Sequence, residues 1–313
     1  MPRESLLASV RARLAIPARK PTQEVLDGEY GSIHRGRSMD FDDLREYTVG
    51  DDVKDIDWKA TARAGRPLIK RYVASRRHAV LLVVDTGRTM AALADATSVK
   101  RNVAVLVAGV FGEIATRHGD SVGLVTGPVA TSGTGAGARV GNSQHTVYIP
   151  PLRGDVHLER LLRTIHDAID VSGEPSDHVC LLRYVARHFQ RRMIVVVVAD
   201  DDDLDDRSER LLRRLAAQHE VLYCTIGDVT MTEPALASTT LRAVETGTTI
   251  PAYFRSHPGL HDDLTGLARQ REAARQATLA RAGISGARVA SEHDVIPSVI
   301  GLLERQRLFG VQR

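Results

Sequence analysis

The chain has 313 residues, of which 43% are apolar and 4% aromatic, enough for a large α/β core of aliphatic side chains. Its formal net charge of +3 does not indicate the continuous basic face of a dedicated nucleic-acid binder. The sequence has neither a long apolar run typical of a membrane span nor the apolar segment of a signal peptide. Cys180 and Cys224 are isolated, which fits a reducing compartment. We therefore predict a cytoplasmic protein without a membrane span and without a nucleic-acid partner.

Residues 1–77 are polar, highly charged and poor in long apolar runs. Near the beginning, Leu6, Leu7, Val10 and Leu14 have the spacing of a short amphipathic helix, which we expect to dock on its own domain. The character of the sequence changes at His78, where apolar runs begin. We predict an N-terminal charged accessory segment over residues 1–77 and an α/β domain over residues 78–313.

The charge-sorted segment, Gly36 to Tyr72, separates its acidic residues from its basic residues around the single tryptophan, Trp58. Eight acidic residues precede Trp58, with only Arg45 and Lys54 among them, and the charged residues that follow it up to Tyr72 are all basic. Two interpretations are open. The segment could fold as an antiparallel ribbon with paired charges. It could also form a protein-docking surface, because Trp and Arg are favoured at interface hot spots.

Strands alternate with helices from residue 79 onwards, a pattern that predicts a mainly parallel sheet with helices on both faces. The expected strands are short apolar runs at 79–85, 121–127, 146–152, 193–199 and 220–228. The expected helices cover 98–118, 157–169, 179–189, 204–219, 260–282 and 296–308, and a hairpin is expected over 239–251.

Two of the apolar strands end in acidic residues, the first at Asp85 and the other at Asp200, which begins a run of four aspartates. In an open parallel sheet, ligands bind at the carboxyl ends of strands. If the two strands are neighbours, Asp85, Asp200 and the hydroxyl of Thr89 form an oxygen set suited to Mg²⁺ or Mn²⁺. The competing interpretation is that both aspartates cap the helices that follow them.

The segment from Leu26 to Met90 closely resembles the bacterial family called domain of unknown function 58. The similarity is carried by several motifs, namely the glycine and arginine pattern of Gly31 to Gly36, F-x-x-L-R-x-Y at Phe41 to Tyr47, G-D-D-x-x-x-I-D-W at Gly50 to Trp58, Ala62-Arg63 and Lys70-Arg71. A looser similarity continues through residues 120–125, the strand into Asp200 and Glu292-His293-Asp294. The resemblance therefore covers most of the chain.

This resemblance implies a von Willebrand factor A-like fold with a metal-ion-dependent adhesion site. The family motif for that site is D-x-S-x-S, followed by a threonine from a later loop and an aspartate after a middle strand. Asp85 and Thr89 match the first and last motif positions, and Asp200 matches the later aspartate. Gly87 stands in place of the first serine, and Asp155 is the candidate substitute for the threonine, so the expected site is degenerate.

The resemblance also implies a MoxR-type AAA+ ATPase as partner and a non-enzymatic adaptor or chaperone-like role. We assign partner binding to residues of the charge-sorted segment, namely Arg45, Asp51, Asp52, Asp57, Trp58, Arg63 and Lys70. The alternative function is a metal-dependent hydrolase, a phosphatase or nuclease, that uses Asp85 and the Asp200 cluster.

Overall fold

The computed structural model describes residues 5–15, 22–33, 40–48, 56–73, 78–127, 139–140, 146–255, 257 and 259–311. The chain forms two compact units, a large unit of Met1–Ile33 with His78–Arg313 and a small unit of His34–Arg77. The predicted boundary after residue 77 is also a boundary between the two units. Residues 1–33, in contrast, were predicted to belong to the accessory segment but are part of the large unit. They belong to the large unit because Leu7, Val10 and Leu14 are buried in its core.

Each helix and strand predicted from residue 79 onwards is found within a few residues of its expected bounds. The helices are α1 (Leu6–Leu14), α2 (Thr22–Ile33), α3 (Trp58–Ala64), α4 (Lys100–Arg117), α5 (Asp155–Ala168), α6 (His178–His188), α7 (Asp206–Gln218), α8 (Ala252–Arg255), α9 (Leu260–Arg281) and α10 (Val295–Val311). The strands are β1 (Asp40–Glu46), β2 (Leu68–Val73), β3 (Ala79–Asp85), β4 (Ser121–Gly127), β5 (Arg139–Val140), β6 (Val147–Leu152), β7 (Ile194–Asp200), β8 (Glu220–Ile226), β9 (Leu241–Arg242), β10 (Thr249–Ile250) and β11 (Ser285–Val289). None of the helices in these ranges has the length and apolar character that crossing a membrane requires. The elements α2, α3, α8, β5 and the sheet strand β11 were not predicted.

A seven-stranded sheet in the order β11-β8-β7-β3-β4-β6-β5 forms the centre of the large unit. The five strands from β11 to β4 are parallel, as their pairings show. Side chains of β3 point alternately to the two faces, so Leu82 lies in the core beneath α4, α5 and α10 while Leu81 lies beneath α6, α7 and α9. The predicted fold class, a mainly parallel sheet with helices on both faces, is confirmed.

Strand β6 runs antiparallel to β4, with Leu152 opposite Val122 and Val147 opposite Thr126. It therefore ends at the edge of the sheet where the parallel strands begin. Helix α5, which follows β6, starts at that edge, far from the carboxyl ends of β3 and β7. The sequence pattern predicts the strand but not its direction.

Helix α1 is held by side chains from α4 and α5. The Glu159 carboxylate accepts hydrogen bonds from the backbone N–H groups of Leu6 and Leu7 at 3.1 and 2.8 Å. Val10 packs on Gly109, where an added Cβ would lie 2.5 Å from a Val10 methyl carbon. Arg11 pairs with Asp155 at 2.8 Å. An isolated helix of nine residues is marginal in water, so these contacts stabilise it. The predicted docking of this helix on its own domain is thus what the structure shows.

The small unit contains an antiparallel ribbon of β1 and β2, with Asp43 opposite Arg71 and Leu44 opposite Lys70. A strand from the acidic half of the charge-sorted segment thus pairs with a strand from its basic half. This is the backbone arrangement of the antiparallel ribbon, the first of the two interpretations. Glu46 also forms an ion pair with Arg66. The predicted hairpin in the large unit is likewise found, as β9 paired with β10.

Candidate functional site

The candidate site lies at the carboxyl edge, the edge of the large sheet at which the parallel strands end. Strands β3 and β7 are neighbours there, with Val84 opposite Val198, and Asp85 and Asp200 are their last residues. The chain leaves β3 towards β4 on one side and reaches β7 on the other. The two aspartates therefore flank the point where strand order reverses, the usual binding position in such sheets. The sequence predicts that the two aspartates converge if their strands are neighbours, and the structure shows that these strands are paired.

Asp85 is fully buried, and one carboxylate oxygen accepts a hydrogen bond from the Gly87 N–H at 2.8 Å. Burial raises the pKa of Asp85 from 3.8 to about 7. The Gly87 N–H opposes this rise, the charge of Asp200 adds to it, and the Ser176 hydroxyl and His178 again oppose it. Asp85 therefore keeps its proton to a higher pH than an exposed carboxyl group does.

Ser176, in the loop between α5 and α6, supplies a hydroxyl that the motif in sequence lacks. Its Oγ lies 2.6 Å from Thr89 Oγ1. An added Cβ on Gly87 would lie 2.3 Å from both Cα and Oγ of Ser176. The space that a side chain at position 87 would need is therefore filled by Ser176. Sequence reasoning missed this residue because it sought a hydroxyl after β6, although Glu174-Pro175-Ser176-Asp177 reads as a loop that opens a helix.

Asp155, the predicted substitute ligand, is not part of this cluster. Because β6 is antiparallel, Asp155 lies at the opposite edge of the sheet from Asp85. Its carboxylate binds both terminal nitrogens of Arg11, at 2.8 and 2.9 Å. The Arg11 guanidinium lowers the pKa of Asp155. Asp155 therefore anchors α1, and its assignment to the candidate metal site is wrong.

Each carboxylate of the run Asp200–Asp203 faces a basic side chain. Within the described ranges the pairs are Asp200 with Lys100, Asp201 with Arg275 and Arg288, Asp202 with His178, and Asp203 with Arg271. These bases come from four elements, α4, α6, α9 and β11. The acidic run is thus locally neutralised and joins helices on both faces of the sheet to one strand end.

His178 and Asp202 form a partly buried pair, with Nδ1 of His178 3.6 Å from Asp202 Oδ2. Burial lowers the pKa of His178, but the hydrogen bond and charge of Asp202, with the charges of Asp85 and Asp177, raise it above the usual value. The pKa of Asp202 is lowered, first by its hydrogen bond with His178. The carboxylate of Asp202 thus favours the protonated form of His178.

Lys100, the first residue of α4, places its ammonium on Asp200 and on Asp228, the second residue after β8. Its side chain is 1% exposed. Hydrophobic periodicity could not reveal this residue, since a lysine at the start of an amphipathic helix is typical of an exposed position. The carboxylate of Asp200, which was predicted to bind a metal, thus binds the ammonium of Lys100 instead.

The residues at the carboxyl edge do not fit a divalent cation held between Asp85 and Asp200. Such an ion is usually bound by one or two available carboxylates and further oxygen atoms. Here Asp200 binds an ammonium, and the hydroxyls of Thr89 and Ser176 bind each other. Across the described part of the chain, no three His, Cys, Asp or Glu side chains converge in a way that could hold a metal ion.

The predicted partner-binding residues lie in the small unit, but the structure does not describe all of them. Asp51 and Asp52 lie outside the described residues. Arg45 is on β1 opposite Ile69, and Lys70 is on β2 opposite Leu44. The remaining three residues belong to helix α3 or to its cap, namely Asp57, Trp58 and Arg63.

Asp57 has a structural role, because its carboxylate accepts hydrogen bonds from the N–H groups of Lys59 and Ala60, both at 3.0 Å. This N-cap fixes the start of α3. Trp58, next in the chain, is 66% exposed, and none of the residues of α3 is buried within its unit. The helix therefore presents an aromatic ring beside the exposed Lys59 and Arg63.

Restoring the family serine by the substitution Gly87→Ser is expected to destabilise the protein. The new Cβ would meet backbone atoms of Ser176 at 2.3 and 2.4 Å, so the α5–α6 loop must move. Overpacking of this kind costs about 1–3 kcal/mol. Urea unfolding of Gly87→Ser, alone and combined with Ser176→Gly, measures this cost. Because the backbone of residue 176 remains, Ser176→Gly should restore only part of the lost stability. Full recovery of the free energy of unfolding would contradict the assigned backbone contact.

Together, the sheet topology and the carboxyl edge define a doubly wound α/β protein whose acidic run Asp200–Asp203 is paired with basic side chains of the same chain. Residues 43–257 match the family described as "Protein of unknown function DUF58". The chain belongs to this family, which confirms the resemblance drawn from its motifs.

Relatives of similar length are found in mycobacteria. The uncharacterized proteins Rv1480 of Mycobacterium tuberculosis and Mb1516 of Mycobacterium bovis are each 25% identical to this chain over 302 residues, covering 96% of it and 90% of the relative. Among solved structures, "von Willebrand factor type A from Catenulispora acidiphila" is similar with a TM-score of 0.38 at 10% identity. That likeness covers 77% of this chain and 44% of the other, and the fold assignment itself rests on the strand order.

Proposed function

We propose that this protein is a non-enzymatic protein-interaction module that acts as an adaptor or chaperone-like partner of a MoxR-type AAA+ ATPase. Membership of the DUF58 family and the doubly wound α/β fold support an interaction role. The small unit, which contains most of the motifs that carry the family resemblance, is the proposed docking element. Its ribbon sets Asp43 opposite Arg71 in the backbone register, and its helix α3 presents a large aromatic side chain.

The observation that carries this proposal is the exposure of Trp58. It is the single tryptophan of the chain, and it is 66% exposed in the described structure, although a tryptophan is usually among the most buried side chains. Burying an aromatic ring of this size against a partner is a large source of binding free energy. Arg63, on the same helix, is also exposed, and Trp and Arg are enriched at binding hot spots.

The test begins with affinity capture from native cells on the tagged full chain, with the recovered proteins identified by mass spectrometry. We expect an AAA+ ATPase among them. For the purified pair, Trp58→Ala is expected to weaken binding by roughly 30-fold or more, the loss of a hot spot of about 2 kcal/mol. Because α3 buries none of its side chains within its unit, the thermal midpoint of the variant should match that of the wild type.

Tyr253→Ala is the matched control, because Tyr253 is an aromatic residue of the large unit that is 80% exposed. It should leave the affinity unchanged. Capture that never recovers an AAA+ ATPase would count against the proposed partner. Equal affinity of Trp58→Ala and the wild type would instead count against the proposed docking surface, so the two parts of the proposal can fail separately.

The hydrolase alternative requires carboxylates that converge on a metal pair. At the carboxyl edge, the described aspartates of the run 200–203 face basic side chains instead. No specific observation favours turnover at this edge over an interaction role. A screen of phosphate esters with Mg²⁺ and Mn²⁺ tests the alternative directly, and turnover abolished by Asp85→Asn would replace the adaptor proposal.

A further inference from the structure

The side chain of Lys100 is buried where the physical environment should oppose a cation. It is the first residue of α4, and the N-terminus of a helix carries a partial positive charge. Removing an ammonium from water also has a large desolvation cost. The position is therefore tenable only because carboxylates compensate for both effects.

Two carboxylates provide this compensation from two neighbouring strands. Asp200 ends β7, and Asp228 follows β8, the next strand in the sheet. Both bind the Lys100 ammonium. Burial lowers the pKa of Lys100, but the charges of Asp200 and Asp228 outweigh it and raise the pKa above its usual value. The ammonium is thus charged throughout the physiological pH range.

We propose that the Lys100 ammonium is the resident cation of the carboxyl edge and takes the place of a divalent metal ion there. The positive charge that the family resemblance assigns to a bound metal comes from the chain itself. This arrangement gives Asp200 a cation partner although position 87 has no hydroxyl that could bind a metal. It also makes the architecture of this edge independent of metal supply. The inference concerns the isolated protein and does not depend on the proposed partner.

The first test is a titration of the metal-free wild-type protein with Mn²⁺, followed by electron paramagnetic resonance. We expect no saturable binding at millimolar Mn²⁺ and no change in thermal midpoint on addition of Mg²⁺ or EDTA. Saturable binding of one Mn²⁺ that Asp85→Asn or Asp200→Asn abolishes would overturn the proposal.

The second test uses Lys100→Met, which removes the ammonium but keeps a side chain of similar length. Asp200 and Asp228 are then left without the shared cation, so we expect Mn²⁺ to bind at least about tenfold more tightly than to the wild type. Mg²⁺ should also raise the thermal midpoint of this variant, since a ligand that binds only the folded state stabilises it. Adding Asp200→Asn should remove the gained binding.

Lys100→Arg is the control that keeps the positive charge, and it should bind no more Mn²⁺ than the wild type. A folded Lys100→Met variant without increased Mn²⁺ binding would overturn the claim that the ammonium takes the place of the metal. If Lys100→Met does not fold, the wild-type titration decides, because saturable binding refutes the proposal and its absence supports it.

Discussion

Asp85→Asn is expected to remove a pH dependence of stability that the wild-type protein shows between pH 3.8, the ordinary pKa of an aspartate, and about 7, the raised pKa of the buried Asp85. The folded protein binds the Asp85 proton more tightly than the unfolded chain does. The stability contributed by the protonated group is therefore fully present below 3.8 and is lost as the pH rises to about 7. Each pH unit corresponds to about 1.4 kcal/mol, so the full loss is about 4 kcal/mol.

Urea unfolding at a series of pH values measures this effect. Asparagine keeps an oxygen that can accept the Gly87 N–H but cannot ionise, so the slope over this pH range should be smaller in Asp85→Asn. The variant should be more stable than the wild type above neutral pH. Asp203→Asn, at an exposed residue of the acidic run, is the control and should keep the wild-type slope. Parallel profiles of stability against pH for Asp85→Asn and the wild type would show that burial does not raise the pKa of Asp85.

Arg275→Met is expected to lower the free energy of unfolding by about 3–5 kcal/mol, the usual cost of breaking a buried ion pair. The Arg275 side chain is 1% exposed and pairs with Asp201 and with Glu272, the latter at 2.6 Å. It also reaches the Asp202 backbone carbonyl at 3.3 Å. Without it, Asp201 keeps only Arg288, at 3.4 Å, as a basic partner in the described structure.

Arg281→Met provides a control on the same helix with the same chemical change. Arg281 is 52% exposed and pairs with Glu209 at 2.8 Å. Exposed pairs contribute about 0–1 kcal/mol, so this variant should remain close to the wild type. Urea unfolding of both variants at neutral pH compares the two. Similar losses in both would mean that the buried position of Arg275 has no special energetic role.

The sequence predicts the carboxyl edge because the signals for it are local. A continuous apolar run identifies a strand buried on both faces, and an aspartate directly after the run marks where that strand ends. Asp85 and Asp200 satisfy this rule, and alternation of strands with helices makes the sheet mainly parallel. The order of the charge-sorted segment, acidic before basic, is compatible with the antiparallel pairing of β1 with β2, although only Asp43 and Arg71 are opposite charges in that register.

The remaining features depend on contacts between distant parts of the chain. The direction of β6 is set by its pairing with β4, and no local pattern of residues encodes it. Ser176 reaches Thr89 across 87 positions, and Lys100 reaches Asp200 across 100. A buried lysine at a helix start has the same local sequence as an exposed one, so its partners identify it only once the sheet order is known.

The attachment of α1 has a consequence for the order of folding during synthesis. The Glu159 carboxylate, which accepts hydrogen bonds from the first N–H groups of this helix, is separated from Leu7 by 152 positions. At a synthesis rate of roughly 5–20 residues per second, the helix waits roughly 8–30 s until Glu159 is made. Its nine residues cannot form a stable helix alone in that interval. Helix α1 is therefore among the later elements to acquire its full set of native contacts, although it is synthesised before the strands of the sheet.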